Sequence, residues 1–296
     1  MGVAKGVFKF LLELKTTTDK VHGKVLQLGR QCTYVSPEQM KTYATDFNTS
    51  LPRNFNINLS FDPKLNEIGY VDDITFFKGV GFDEVDSLDY SSYEGCSLVH
   101  DLNEPVPEEY YEKYDAIFDG GTLEHVFHFP NCLANIHKML KPNGVIIHSS
   151  PSHNHVDHGF YMFSPTVFYD YYKSNNYNIL KSNIFEYHRT HESNPWIIYN
   201  YEPGTIDHLS YGGWGNKLLG IWFVAEKMAE STSGIIPQQS FYTRTWNKNS
   251  NDLGRFKNLK TFIRKNPFLY RLARKANQVI NFKSFIKKRP KVVARY

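Results

Sequence analysis

The chain has 296 residues, which is long enough for one large domain or two small ones. Hydrophobic residues make up 41% of it and charged residues 22%, an ordinary globular composition that excludes disordered and collagen-like classes. The longest apolar run, 218–225, is too short to span a bilayer, and the N-terminus lacks the pattern of a signal peptide. Three cysteines without a CxxC pair indicate neither a disulfide framework nor a cysteine zinc site, so we expect a cytoplasmic protein.

Positive charge is concentrated at the C-terminal end. Residues 254–296 contain 14 of the 34 Lys and Arg residues and no Asp or Glu, so residues 1–253 carry a net charge of −10. Such asymmetry predicts that the basic segment contacts an anionic membrane surface, a partner protein, another polyanion or the acidic body of the same chain. No RRM, KH or zinc-finger signature is present, so we do not expect nucleic acid as a substrate.

Short apolar strands alternate with helical stretches along most of the chain. The strands are predicted at 25–28, 85–88, 97–100, 114–118, 145–148, 177–187 and 217–225. The helices are predicted from Ser36-Pro37 onward, over 65–79, over 130–140 and from Ser164-Pro165 to Tyr172. This alternation predicts a doubly wound, mostly parallel α/β sheet that is buried on both faces. We therefore expect an α/β domain at 1–230 and a basic, helical extension at 231–296.

Polar residues follow the predicted strands at the points where ligands bind in doubly wound sheets. Asp89 follows the second strand, where a carboxylate can accept hydrogen bonds from both hydroxyls of a ribose. Asp101 follows the third strand, where a polar group can bind an adenine amino group. Each Asp alone is also a common helix cap or turn residue, but their order along the chain favours a nucleoside site.

Two segments resemble class I S-adenosylmethionine-dependent methyltransferases, in a Leu-Glu-His subgroup associated with polysaccharide biosynthesis. They are DAIFDGGTLEHVFHFPNCLANIHKMLKPNGVIIHSSP at 115–151 and HGFYMFSPTVFYDYY at 158–172. The resemblance extends over about residues 22–225 and implies a Rossmann-like methyltransferase fold, S-adenosylmethionine as cofactor, and O-methylation of a saccharide or related small molecule. The residues that it assigns to the cofactor are Gln27, Gly29, Asp89, Asp101, Leu102, Asp119 and Glu124.

The first motif of this family, acidic-x-Gly-x-Gly-x-Gly, is incomplete in this chain. Gln27 stands at the acidic position, Gly29 remains, and Gln31 and Thr33 occupy the other two glycine positions. Side chains there either narrow the site or replace backbone contacts to the cofactor. A non-catalytic scaffold with a methyltransferase-like fold is therefore the alternative. The long segment between the first two strands, 29–84, predicts a helical insertion over the pocket or at the sheet edge.

Histidines near the predicted carboxyl edge of the sheet are candidate general bases. The methyl group of the cofactor is already electrophilic, so a base is needed mainly to take the proton of a hydroxyl acceptor. His125 and His158 are the candidates that we favour, with Glu124 and His125 expected near the transferred methyl. His153 and His155 are further candidates, and each of the four could instead be a structural or solvated histidine.

Residues 153–158 read His-Asn-His-Val-Asp-His, which matches the H-x-H-x-D-H string of metallo-β-lactamase-like zinc hydrolases. About half of the chain precedes the string here, whereas it normally lies near the start of that domain. We therefore predict no resident metal, and keep as alternatives a zinc hydrolase and a divalent ion that assists a sugar hydroxyl.

Apolar residues recur at helical spacing in the basic segment after Pro267. They are Phe268, Leu269, Leu272, Ala276, Val279 and Ile280, with Arg271, Arg274 and Lys275 on other faces. This pattern predicts an amphipathic helix that lies on an anionic membrane, which would make the protein peripheral to it. The alternative is that the apolar stripe packs on the body of the protein.

Overall fold

The computed structural model describes residues 2–188, 195–252, 263, 265–275 and 290–296. Its α-helices are α1 (Lys5–Thr17), α2 (Pro37–Asp46), α3 (Pro63–Ile68), α4 (Asp73–Val80), α5 (Phe129–Met139), α6 (Pro165–Ser174) and α7 (Ser240–Asp252). Its strands are β1 (Gly2–Ala4), β2 (Lys24–Leu28), β3 (Cys32–Tyr34), β4 (Glu84–Asp89), β5 (Leu98–Val99), β6 (Tyr114–Asp119), β7 (Leu140–Pro151), β8 (Asn178–Tyr187), β9 (Ile197–Asn200), β10 (Leu218–Glu226) and β11 (Val292–Arg295). Residues 267–275 are also helical.

Nine strands form the main sheet, in the order β5-β4-β2-β6-β7-β10-β8-β9-β11. Strands β5, β4, β2, β6 and β7 are mutually parallel. The chain visits them in the spatial order 3-2-1-4-5, which is the order of a Rossmann-like doubly wound sheet with its switch point between β2 and β6. Strand β10 is antiparallel to both of its neighbours, β7 and β8. The predicted fold class is therefore confirmed.

Both faces of the sheet are buried because successive side chains of each central strand enter different hydrophobic clusters. In β6, Ala116 and Phe118 pack in a cluster with Phe8 of α1 and Phe77 of α4. Ile117 packs on the opposite face, in the cluster that contains residues of α5 and α6. Because successive side chains of a strand point to opposite faces, the consecutive apolar residues 116–118 fill both clusters, which explains the continuous apolar runs in the sequence.

The region between β2 and β4 is helical, as the sequence predicts, but the helix predicted at 65–79 is two helices. Helix α3 ends at Gly69, which has a φ of 85°, a conformation that glycine adopts without strain. Asp72 then caps α4 by accepting a hydrogen bond of 2.7 Å from the Thr75 N–H. Helix α2 begins with a capping box between Ser36 and Gln39, as its sequence signature indicates.

The first residues of the chain form a covering element that the sequence analysis did not predict. Strand β1 pairs in parallel with β3, and α1 follows directly. Phe8, Leu11 and Leu12 of α1 are fully buried against the sheet. None of the described helices is both long and apolar enough to cross a membrane.

The end of the chain returns to the main sheet. Strand β11 pairs antiparallel with β9, and the backbone N–H and C=O of Tyr296 both bond to Trp196. The Tyr296 ring contacts Phe10 and Phe47, with centroid distances of 5.1 and 5.6 Å, and its hydroxyl donates to Glu13. The basic segment predicted as a helical extension therefore includes helical stretches at 240–252 and 267–275, but its last residues form an edge strand of the sheet.

We expect Tyr296→Ala to lower the free energy of unfolding by about 2–4 kcal/mol, because it removes a ring that is packed between two phenylalanines. Tyr296→Phe keeps the ring and should cost about 1.5–3 kcal/mol, the value of a hydrogen bond to a charged group. Chemical denaturation measures both changes. The control is Tyr211→Ala, at a side chain that is 96% exposed. Equal effects of Tyr296→Ala and Tyr211→Ala would contradict the packed position of the C-terminal residue.

Candidate active site

The turn after β6 is built around Asp119. One carboxylate oxygen of Asp119 accepts hydrogen bonds from the N–H groups of Thr122 (3.0 Å) and Leu123 (3.3 Å). The Thr122 hydroxyl in turn donates to the backbone oxygen of Leu28 at the end of β2. These contacts fix the short 3-10 helix Leu123–His125, and they tie it to the switch point of the sheet.

The second oxygen of Asp119 belongs to a buried polar chain. It lies 2.7 Å from Nδ1 of His148 and accepts a hydrogen bond of 3.2 Å from the Ser150 hydroxyl. Nε2 of His148 lies 2.8 Å from the hydroxyl of Tyr172. Burial favours the neutral acid, but the hydrogen bonds from His148 and the turn amides outweigh it and hold the pKa of Asp119 below its ordinary value. A negative charge is thus fixed beneath the turn.

Glu124 is fully buried on the same turn, and neither oxygen of its carboxyl group has a hydrogen-bond partner. Burial, together with the charge of Asp119, raises the pKa of Glu124 to about 8. Buried polar groups without partners are rare in native structures and mark strain, chemistry or an absent ligand. Glu124 is therefore the most unusual group of the site.

His125 and His158 lie beside Glu124. Nε2 of His125 is 4.0 Å and Nε2 of His158 is 3.9 Å from Oε1 of Glu124, and the two imidazole rings are 5.3 Å apart. His158 reaches this position because the loop after β7 is tied to the turn, where the Tyr161 N–H donates to the Glu124 backbone oxygen. The structure thus brings together both histidines that the sequence favours as bases, and their role in proton transfer stays a prediction.

The other members of the H-x-H-x-D-H string point elsewhere. Nε2 of His153 lies 3.2 Å from the backbone oxygen of Gly215, and Nε2 of His155 lies 2.9 Å from the Tyr187 hydroxyl. Within the described part of the chain, the only group of three or more metal-ligand side chains that converges is Glu124 with His125 and His158. The string therefore does not form the ligand set of a metallo-β-lactamase-like centre.

A cavity of about 780 Å³ lies beyond the carboxyl ends of β6 and β7, within the size range of small-molecule sites. Its floor is formed by Gly120, Gly121, Glu124 and residues 149–151. Residues 2–5 and Val7 cover it from the N-terminus, so the β1–α1 segment forms its roof. Gly6 itself packs on Trp196, and an added Cβ would lie 2.5 Å from that indole ring.

One wall of the cavity is aromatic. Phe185 and Trp196 are stacked at a centroid distance of 4.6 Å with only 4° between their planes. Gly220 of β10 faces Phe185 across the sheet, and a side chain at Gly220 would collide with that ring. The indole Nε1 of Trp196 is buried and has no hydrogen-bond partner. The wall thus combines apolar ring surface with an N–H donor that has no hydrogen-bond partner.

The region of the incomplete glycine motif is closed by side chains. Gln27 and Arg30 both donate hydrogen bonds to the buried carboxylate of Asp73 in α4. An acidic side chain of the insertion therefore lies beside Gln27, the residue that stands at the acidic position of the motif. Gly29 has a φ of 71°, and a Cβ there would lie 2.7 Å from the Thr122 hydroxyl. The Gln31 side-chain oxygen is buried, has no hydrogen-bond partner, and lies beside Gly120. Side chains have thus replaced part of the glycine loop.

The predicted nucleoside residues lie at the edge of the sheet outside the lining of this cavity. Asp89 ends β4, and its oxygens accept from the N–H groups of Arg30 (3.1 Å) and Tyr90 (2.7 Å). Asp101 accepts two hydrogen bonds from Asn103, and the Leu102 side chain is buried in the core. Asp119 is also internal, so any contact that it makes to a ligand is indirect. Of the seven residues assigned to the cofactor, Glu124 lines the cavity.

Several lining residues were missed by the sequence analysis. Tyr34, Tyr70, Phe185 and Tyr187 have no motif, and they meet only through pairing of distant segments. Trp196, in the Tyr- and Trp-rich stretch before β10, also lines the cavity. The helical spacing of Val7, Leu11 and Leu14 in the N-terminal segment could have predicted α1, but not its position over the cavity.

No protein-family model and no curated protein matches the chain. Solved structures that are similar to it include S-adenosylmethionine-dependent methyltransferases. One is the 1,6-didemethyltoxoflavin-N1-methyltransferase of Burkholderia thailandensis, solved with S-adenosylhomocysteine; it is 13% identical, with a TM-score of 0.37 over 75% of this chain and 77% of that one. Another is a methyltransferase of Archaeoglobus fulgidus, 11% identical, with a TM-score of 0.39 over 75% and 93% of the two chains.

We expect Asp119→Ala to destabilise the protein by about 3–5 kcal/mol at neutral pH, because it leaves His148 and two turn amides without their buried partner. The folded pKa of Asp119 lies below its ordinary value, so this stabilisation is present at neutral pH and is lost as the pH falls through the folded pKa. The difference between variant and wild type should therefore shrink in acid.

Urea denaturation at several pH values measures this difference. Asp207→Ala, at an exposed residue, is the control and should change stability by less than about 0.5 kcal/mol. A variant as stable as the wild type at pH 7 would show that Asp119 does not hold the turn.

Proposed function

We propose that the protein is an S-adenosylmethionine-dependent methyltransferase that O-methylates a saccharide or a related small molecule. The observation that carries the proposal is a carboxylate at the end of the second parallel strand, Asp89, beside a left-handed Gly29 at the switch point of the sheet. Ligands of doubly wound sheets bind at this point. The large cavity beyond β6 and β7 adjoins it and supplies room for an acceptor.

The residues present fit this cofactor at both of its ends. Asp89 is only partly buried, and a carboxylate there would accept hydrogen bonds from ribose hydroxyls, while Asp101 and Leu102 would contact the adenine. Gly29 permits close approach of the backbone, and the unpartnered Gln31 oxygen would accept a hydrogen bond from the methionine ammonium. In this proposal, side chains at the glycine positions of the motif replace backbone contacts to the cofactor, and the cofactor site is retained.

The bound cofactor supplies an electrophilic methyl group, so the chain itself must orient the acceptor and receive its proton. Phe185 and Trp196 line the cavity and supply apolar surface for the C–H groups of a sugar, and the Trp196 N–H, which has no hydrogen-bond partner, can donate to a hydroxyl. Burial, and the neighbouring His158, lower the pKa of His125, so its imidazole is neutral at pH 7 and can accept a proton. Membership of the polysaccharide-associated Leu-Glu-His subgroup is part of this proposal.

Calorimetry with S-adenosylhomocysteine tests the cofactor site. We expect Asp89→Ala to weaken binding by about 1.5–3 kcal/mol, since it removes a charged acceptor of hydrogen bonds. Asp89→Asn, which keeps one acceptor oxygen, should lose less. Asp19→Ala, at an 88% exposed residue before β2 and so at the opposite edge of the sheet, should bind as the wild type does.

Transfer of labelled methyl groups to a panel of free and nucleotide-linked sugars tests the acceptor class. Labelled product with a sugar and none with matched deoxy-sugars supports O-methylation. A wild-type protein that binds no S-adenosylhomocysteine would instead support the alternative of a non-catalytic scaffold. Unchanged affinity in a folded Asp89→Ala variant would contradict the assignment of Asp89.

We also propose that residues 267–275 bind an anionic membrane surface. Phe268 and Leu272 lie four positions apart on this helical stretch and are 71% and 50% exposed, next to exposed Arg271, Arg274 and Lys275. The other predicted apolar positions, Ala276, Val279 and Ile280, lie outside the described residues. The exposed apolar pair favours a membrane over packing on the body of the protein.

We expect the full-length protein to sediment with phosphatidylserine vesicles at low salt, and the double variant Phe268→Asp/Leu272→Asp to remain in the supernatant. Truncation is unsuitable, since it would remove β11 from the sheet. Ile236→Asp, at another exposed apolar residue (87%), controls for added charge and should sediment. Absence of the wild-type protein from the pellet would exclude the membrane, and leave a structural role or the docking of a partner protein for this segment.

A further inference from the structure

Three side chains with metal-ligand atoms converge at the cavity floor beside the proposed acceptor site. Glu124 and His125 are consecutive residues of one 3-10 turn, and His158 comes from the loop after β7. Both imidazole Nε2 atoms lie within 4.0 Å of the same carboxylate oxygen, Oε1 of Glu124. One oxygen and two nitrogens from two segments thus approach a common point.

The carboxyl group of Glu124 lacks the hydrogen bonds that a buried carboxyl group ordinarily makes. It is fully buried, and neither oxygen has a hydrogen-bond partner. A buried polar group without a hydrogen-bond partner is destabilising, and a bound ion is one of the few reasons for which such a group persists. His125 and His158, at 40% and 35% side-chain exposure, leave the opposite side of the point accessible. A cation would meet the carboxylate from that side.

The charge beneath the turn favours a cation. The carboxylate of Asp119, held ionised by His148 and the turn amides, is buried directly under the turn that carries Glu124. Its negative charge acts on Glu124 through a low-dielectric interior, where screening is weak. This negative charge attracts a positive ion to the cavity side of the turn.

We infer that Glu124, His125 and His158 bind one divalent transition-metal ion, which binds an oxygen of the acceptor in the cavity. Two imidazoles and a carboxylate suit zinc, cobalt or manganese, whereas magnesium and calcium take oxygen ligands. Three protein ligands leave a coordination position open, as in catalytic zinc sites. The metal site does not rest on the proposed function; only its further ligand, an oxygen of the acceptor, does. When the ion is bound, His125 is a ligand and not the proton acceptor, and the ion instead promotes loss of the acceptor's proton.

The contacts of His153 and His155 show how the inferred site differs from the zinc site that the H-x-H-x-D-H string would form. His153 and His155 belong to H-x-H-x-D-H, yet His153 contacts the backbone of Gly215 and His155 contacts Tyr187. A zinc hydrolase centre would need them, whereas the inferred site needs Glu124 and His125, which lie outside the string. His153→Ala is therefore a matched control from the same loop as His158.

Cobalt(II) titration of the full-length, chelator-treated protein tests the inference. We expect one equivalent to give the visible absorption bands of a nitrogen- and oxygen-ligated ion, with zinc displacing it. Glu124→Gln and His158→Ala should each weaken binding about 100-fold or more, and His153→Ala should leave it unchanged. Zinc should also raise the melting temperature of the wild type and of His153→Ala, but not that of His125→Ala.

The outcomes distinguish this site from the cofactor site. Binding of S-adenosylhomocysteine without binding of cobalt overturns the metal site and leaves the methyltransferase proposal intact. Binding of cobalt without S-adenosylhomocysteine supports the metal site and contradicts the proposed function. Cobalt binding that survives Glu124→Gln, or that is lost equally in His153→Ala, overturns the assignment of the ligands. Should Glu124→Gln fail to fold, His125→Ala in the same titration decides.

Discussion

The buried carboxylate of Asp119 is the interaction on which the arrangement of the site depends. It ends the central strand β6, and its hydrogen bonds join that strand to β7 through His148 and to the following turn through two amides. A fully desolvated charge persists only when every lone pair is used, and here four donors use them. The position of Glu124, and through it of the two histidines, follows from this one residue.

The insertion between β2 and β4 changes how the switch point is built. In place of a glycine loop, Gln27 and Arg30 share the Asp73 carboxylate, and residues 32–34 form a strand that pairs with the N-terminus. Gly29 is therefore the position of this loop at which the backbone can still approach a ligand closely. The covering segment that this pairing holds in place is what encloses the cavity beyond β6 and β7.

Local patterns were sufficient to predict the parallel half of the sheet, because a short apolar strand and a capped helix such as Ser36–Asp46 each carry their own signal. The break at Gly69 shows the limit of periodicity, since one left-handed residue ends a helix whose apolar spacing continues. Pairing of β1 with β3 and of β11 with β9 depends on contacts between distant segments, and no local signal encodes it. The histidine string illustrates the same limit: adjacency in sequence placed His153 and His155 in a metal motif, whereas in space His158 joins Glu124 and His125.

The two ends of the chain meet through contacts around the cavity. Gly6 packs on Trp196, and the backbone of Trp196 is bonded to Tyr296 at the sheet edge. Contacts between segments so far apart in sequence close long loops, which costs conformational entropy. Edge strands also have the fewest neighbours, so they open at lower free energy than the central strands. Fraying of β11 would therefore loosen Trp196 and the roof together, which gives a bulky ligand a route into the cavity without any unfolding of the central sheet.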